Sequence, residues 1–255
     1  MTGTTRGGPQ RIPRPDVVEP GPPPPWSRRL GEHPDLRDLN GLTGAAIRRS
    51  MASFPVDRAV GLAEPSARRS AVAVVLRAGG QSAAAVDPGS SPQGAGPAVL
   101  LTRRSWSLRD HSGEMAFPGG GEEPADRFPV GTALREAYEE VALDPGAVEA
   151  VGALDPLTTV LNSRVILPVV ALLTAPVDLV AEPAEVAAVR WTTLSELLHP
   201  DCYRSERWSW DGGGLVAPMV GRPMHFFELP GDTIWGATAT MLVQLLSIVL
   251  GVAPQ

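Results

Sequence analysis

Glu136, Glu139 and Glu140 are the residues of this chain whose type and spacing could do chemistry together. On a helix turning 100° per residue they share an arc of about 100°. Carboxylates four apart repel by a few tenths of a kcal/mol. Arg135, four residues before Glu139, offsets part of that repulsion. Two readings are open: a solvated acidic face, or a ridge that holds a hard divalent cation through oxygen ligands. The surrounding stretch 117–145 supplies the helix. Phe117-Pro118-Gly119-Gly120-Gly121 is a glycine-rich turn. Asp126 is placed to cap a helix, Pro129 falls in its first turn, and Pro145 lies beyond its end near Val141. Ala133, Leu134, Ala137 and Val141 provide its apolar packing.

Composition limits the rest of the chemistry. All 22 basic residues among the 255 are arginine. A Schiff-base lysine and a P-loop lysine are therefore excluded. Any anion must be held by arginine, by backbone N–H groups or by a metal ion. A net charge of -6 argues against a dedicated nucleic-acid binder. Cys202 is the single cysteine, so no intrachain disulfide is available, and a reducing, cytoplasmic setting is expected. The N-terminus has no apolar core of a secretory signal. Residues 233–255 carry no charge, yet their glycines and polar residues favour a buried helix over a membrane anchor.

The elements that position the glutamates follow from the pattern. Residues 1–25 are Pro/Gly-rich, end in four prolines and are expected to be disordered. The remainder, 26–255, reads as a single domain. Helical character is expected around 45–52. Strands are predicted at 70–77, 98–103, 150–154, 164–173 and 185–191. A long loop, 78–97, should join two neighbouring strands. A short helix over 192–198 has Thr192 or Thr193 with Glu196 for a capping box. An apolar helix over 235–250 ends the chain. The mixture is α/β.

The stretch Arg135-Glu136-Ala137-Tyr138-Glu139-Glu140 resembles the REUxEE core of the Nudix hydrolase box. Upstream, Leu100 to Gly120 is similar to the signature of the coenzyme A pyrophosphatase branch of that family, through Leu100-Leu101-Thr102, Arg104-Ser105, Arg109, Gly113 and Phe117 to Gly120. The segments LDPLTTVLNSRVILPVV and IWGATA also resemble this branch, so the similarity spans roughly residues 65–250. Two positions depart from the general box. Arg127 stands where its first glutamate falls, with Asp126 one residue earlier. Ala142 stands where a glycine usually ends the helix.

The resemblance implies an α/β/α sandwich around a mixed sheet. It implies hydrolysis of the pyrophosphate of coenzyme A or an acyl derivative, giving 3′,5′-ADP and 4′-phosphopantetheine, with Mg²⁺ or Mn²⁺. Glu136 and Glu140 would be the main ligands, Glu139 would complete the cluster, and Glu136 is the choice for the base. Gly119 and Gly120 would let backbone approach the substrate. Arg104 and Arg109 would hold phosphates. His111 contacts substrate or completes a turn, Glu114 is an accessory ligand, and Trp106 stacks on a base or fills the core. Another nucleoside diphosphate derivative, such as an ADP-sugar or a dinucleotide, is the alternative substrate. A non-catalytic Nudix-like binding module is a further alternative. No membrane partner is expected.

Overall fold

The computed structural model describes residues 8–10, 12–39, 41–63, 68–80, 96–158, 164–211 and 219–252. Most of the loop expected at 78–97, and the first seven residues of the expected tail, lie outside them. In chain order the strands are β1 (Val17–Pro20), β2 (Arg68–Arg77), β3 (Ala98–Arg104), β4 (Met115–Ala116), β5 (Gly119–Gly121), β6 (Val148–Ala153), β7 (Leu157–Thr158), β8 (Arg164–Leu173), β9 (Val186–Thr193), β10 (Tyr203–Trp210), β11 (Met219–Leu229) and β12 (Asp232–Trp235). The α-helices are α1 (Ser27–Glu32), α2 (Gly44–Met51), α3 (Val56–Leu62), α4 (Val130–Val141), α5 (Leu194–Leu197) and α6 (Gly236–Val249).

The larger sheet runs β4-β3-β2-β8-β6, with β5 on β2, β7 on β8 and β9 on β3. Strands β2 and β8 are parallel and the other pairs antiparallel, so the sheet is mixed as expected. The period of two divides its central strands cleanly. Ala71, Ala73 and Val75 of β2, Leu100 of β3 and Val169 of β8 face α4 through Ala133, Ala137 and Val141. Val74, Leu76, Val99, Leu101 and Val170 face the opposite layer, with Ile47 and Met51 of α2 and Leu242, Leu245 and Leu246 of α6. Helices thus cover both faces of the sheet. Alanine meets alanine under α4, and this lets the helix lie close to β2 and bring its polar edge against β5.

A second sheet, β1-β10-β11-β12, is not legible in the sequence. It also corrects the expected disorder of the Pro/Gly-rich tail for the segment 17–20. Val17–Pro20 pairs antiparallel with β10, although each of the four residues is exposed. The argument from apolar burial missed this because the segment is held by backbone: the Asp16 N–H donates to the Ser209 carbonyl and the Gly21 N–H to that of Ser205, at 3.1 and 2.9 Å. The terminal apolar helix is α6, packed in the core. No described helix is long and apolar enough to cross a membrane.

Candidate active site

Helix α4 starts after Pro129, which is the N-cap and brings no capping side chain. Asp126 therefore does not cap the helix. Its Oδ2 accepts from the Glu123 N–H and the Thr132 hydroxyl, both at 2.9 Å. Both its oxygens accept from Arg135, at 3.1 Å. The guanidinium beside it holds the Asp126 carboxyl down at about 2. The same guanidinium also donates to the Gly121 carbonyl at 2.9 Å, to Glu136 at 3.1 Å and to Glu139 at 2.9 Å. Arg135 thus ties the helix to the glycine turn. At the other end Ala142 takes the left-handed conformation, with φ 54°, that glycine would take more easily. Its N–H still bonds the Tyr138 carbonyl at 2.8 Å.

The three glutamates do not share one environment. Glu139 has its side chain 53% exposed and turned to Arg135. Glu136 lies under the glycine turn, where a Cβ on Gly120 would overlap its carboxylate. A larger residue there would push the Glu136 carboxylate aside. Burial raises the Glu136 carboxyl and Arg135 pulls it back. Glu140 is 5% exposed. Burial pushes its carboxyl up to about 8; Arg104 opposes the shift, Glu136 and Glu185 add to it, and the Gly119 N–H opposes it. Arg104 faces Glu140 from the end of β3, and its Nε is buried with no hydrogen-bond partner among the described residues.

Glu185 is the residue that the sequence reading missed. Its sequence setting marks it only as the first residue of a strand. Its field reaches both Glu136 and Glu140. Its place follows from pairing: β9 lies antiparallel to β3, with Val186 opposite Arg104. The Ser105 N–H bonds the Glu185 carbonyl at 2.7 Å, and the Glu182 N–H bonds the carbonyl of Glu140 at 2.9 Å. The loop before β9 is thereby fastened to both β3 and α4. Long-range pairing of this kind leaves no local sequence signal beyond an acidic residue ahead of a strand.

The turn after β3 carries the other expected residues. Arg109 is exposed and makes no side-chain hydrogen bond or ion pair among the described residues. His111 sits at φ 57° and its Nδ1 lies 3.0 Å from Glu114, whose hydrogen bond raises the imidazole's pKa. This is the turn role, and it engages Glu114 there. Trp106 is 51% exposed, so it does not fill the core. Its ring packs on Gly113, a position with φ 71° at which a Cβ would overlap the indole. The ring is therefore held from beneath and open above.

Among the described residues no group of three or more His, Cys, Asp and Glu side chains is gathered as a metal cage. The donor set still fits a hard cation. Glu136 and Glu140 are oxygen donors held largely out of water, with Glu185 beside them. Mg²⁺ is bound through one or two carboxylates plus waters and substrate phosphates, without a dedicated cage.

Comparison with known proteins gives the family of the chain. The family model described as NUDIX domain matches residues 68–210. The chain belongs to the Nudix hydrolase family. Among curated relatives, a protein of Photorhabdus laumondii named as an uncharacterized Nudix hydrolase NudL is 39% identical over 151 residues, covering 58% of this chain and 75% of the relative. A protein of the same name from Escherichia coli is 35% identical over 158 residues, covering 62% and 78%. Among solved structures, a MutT/nudix family protein from Enterococcus faecalis is 14% identical with a TM-score of 0.41, covering 74% of this chain and 69% of that one.

Proposed function

We propose that this Nudix hydrolase cleaves the pyrophosphate of coenzyme A or an acyl-coenzyme A with Mg²⁺ or Mn²⁺, in the cytoplasm. The observation that carries the reading is the buried Glu140 beside Glu136 and Glu185, opposed by one guanidinium from Arg104. Such a group is costly unless a cation completes it. A divalent ion would neutralise the pyrophosphate and lower the pKa of a bound water. Glu136 and Glu140 would hold it, with Glu139 at the solvent edge. Glu136, raised by burial, is suited to accept the proton of the attacking water. Arg104, beside Glu140 at the end of β3, would offer its guanidinium to a phosphate oxygen. Arg109, in the turn, is free to close on the substrate from solvent. Gly119 and Gly120 let backbone come close to the same phosphates. Trp106 offers an aromatic face for the adenine.

The resemblance of the stretch 100–120 to the coenzyme A branch supports the substrate, with ADP-sugars and dinucleotides as the alternative. Incubation of the full chain with coenzyme A, acetyl-coenzyme A, ADP-ribose, NADH and diadenosine polyphosphates, with Mg²⁺ or Mn²⁺, tests it by mass spectrometry. We expect 3′,5′-ADP and 4′-phosphopantetheine from coenzyme A. Cleavage of ADP-ribose alone would replace the substrate, and cleavage of none would refute the activity.

A further inference from the structure

We propose that Ser112 is a positioning residue for the nucleoside end of the substrate. It acts through Trp106, whose indole it holds as a preset face for a base. The proposal rests on the adenine-bearing substrate given above. The loop that joins β3 to β4 carries it. Thr102 lies opposite Ala116 and Arg103 opposite Met115. The Arg104 N–H donates to the Glu114 carbonyl at 2.9 Å, and the Gly113 N–H to that of Arg104 at 3.2 Å. The arms are thereby closed, and residues 105–112 are left to form the loop. Exposed polar loops of this kind move unless bonds within them hold them.

Trp106 is held from two sides by consecutive residues. The Ser112 hydroxyl donates to the Trp106 carbonyl at 3.0 Å, across the loop. This is the one hydrogen bond that Trp106 makes among the described residues. Gly113 lies against the indole, where a Cβ would overlap the ring. Ser112 thus fixes the backbone of Trp106, and Gly113 supports its ring. The Trp106 side of the loop is anchored as well. The Ser105 N–H bonds the Glu185 carbonyl at 2.7 Å, and the hydroxyls of Ser105 and Ser107 lie 2.9 Å apart. Above the closed arms, the Ser112 hydroxyl supplies the hydrogen bond that joins the two halves of the loop.

A preset ring binds a base more tightly than a free one. A side chain that must first be ordered loses rotamer freedom on binding, and a contact already held in its bound conformation avoids that loss. Trp106 is 51% exposed, so its open face is available to stack. It follows Arg104 by two residues, and two residues of chain reach at most about 7 Å. The base and the phosphate of one nucleotide are separated on that scale. A base on Trp106 would thus bring its phosphate to the Arg104 guanidinium beside Glu140. Without the Ser112 bond the indole remains, but its angle is no longer set.

A double-mutant cycle on binding tests the assignment. The full chain is titrated calorimetrically in Mg²⁺ with 3′,5′-ADP, which has no pyrophosphate to cleave. The proteins are the wild type, Ser112→Ala, Ser112→Thr, Trp106→Ala and Ser112→Ala/Trp106→Ala. We expect Ser112→Ala to weaken binding about fivefold, the scale of one hydrogen bond, and Trp106→Ala about tenfold. Ser112→Thr keeps the hydroxyl and should bind as the wild type does. The double variant should bind as Trp106→Ala alone does, because Ser112 acts through the ring. A fivefold loss in both backgrounds would overturn the proposal and leave the substrate reading in place. So would unchanged binding by Ser112→Ala beside a loss in Trp106→Ala. A wild type that does not bind 3′,5′-ADP, or binding that is unchanged in Trp106→Ala, would refute the adenine platform and the proposal with it.

Discussion

Two buried carboxylates, Asp232 and Glu140, stand on opposite sides of β3, and adjacent arginines of that strand serve them. Arg103 turns one way and grips Asp232 with Nε and Nη2 at 3.0, 2.7 and 2.8 Å. Arg190 adds a second cation at 3.6 Å and the Gln10 amide a further donor at 3.4 Å. Arg104 turns the other way and faces Glu140 without a hydrogen bond from its Nε. Asp232 is therefore saturated by its own chain, and the cluster fastens β12 to the larger sheet. Glu140 is left charge-poor on the cationic side, and Glu136 and Glu185 make its setting more negative. A buried acid matched by cations holds a fold together, whereas one short of cationic charge is suited to take a cation.

Replacements should separate these roles. The largest effect is expected for Asp232→Ala, which takes the partner from the half-buried Arg103 and leaves the buried Arg190 to Glu196 alone, and should destabilise the fold by about 3 kcal/mol. Urea unfolding measures the loss, and kcat per folded molecule should stay near the wild-type value. A matching loss of kcat would mean that Asp232 serves the site as well. Smaller is the effect of Trp106→Ala. It should raise KM for an adenine-bearing substrate by about tenfold, the loss of one stacked base at about 1–3 kcal/mol. Steady-state kinetics with kcat unchanged would support the platform, and an unchanged KM would remove it. Smallest is Ala142→Gly, which relieves the left-handed strain at the end of α4. A gain of about 0.5–1 kcal/mol is expected by thermal unfolding, and a loss would show that the cap tolerates alanine without strain.

The contrast between the two acids also explains what the sequence disclosed. The larger sheet and α4 were legible because their burial is periodic: β2, β3 and β8 alternate between two cores, and Ala133, Ala137 and Val141 recur along one stripe. The capping box at Thr193 and Glu196 was legible because its geometry is local. Strands β10 and β11 were not, since Arg204, Glu206, Arg207 and Arg222 interrupt their apolar residues and their register is set by each other. Within the site, Glu136 and Glu140 could be placed from helical spacing. Their unequal burial could not, nor could the exposure of Glu139, because both depend on how β5 covers the helix. Glu185 and the partners of Asp232 come from segments 42 to 222 residues away, which no local pattern connects.

The central claim is that Glu140 is a buried carboxylate completed by a divalent cation. In the metal-free protein its folded pKa, about 8, lies above the ordinary value of 4.5. Its neutral form is thus favoured by folding. That contribution is fully present below about pH 4.5 and is lost as pH rises through 8. Metal binding runs the other way, since it needs the carboxylate. Thermal unfolding of the wild type and Glu140→Gln, from pH 5 to 9, in EDTA and in Mg²⁺, reads both at once. In EDTA the variant should gain on the wild type as pH rises, and Mg²⁺ should restore the wild type alone, most strongly above pH 8. Equal responses of the two proteins to pH and to Mg²⁺ would contradict the account.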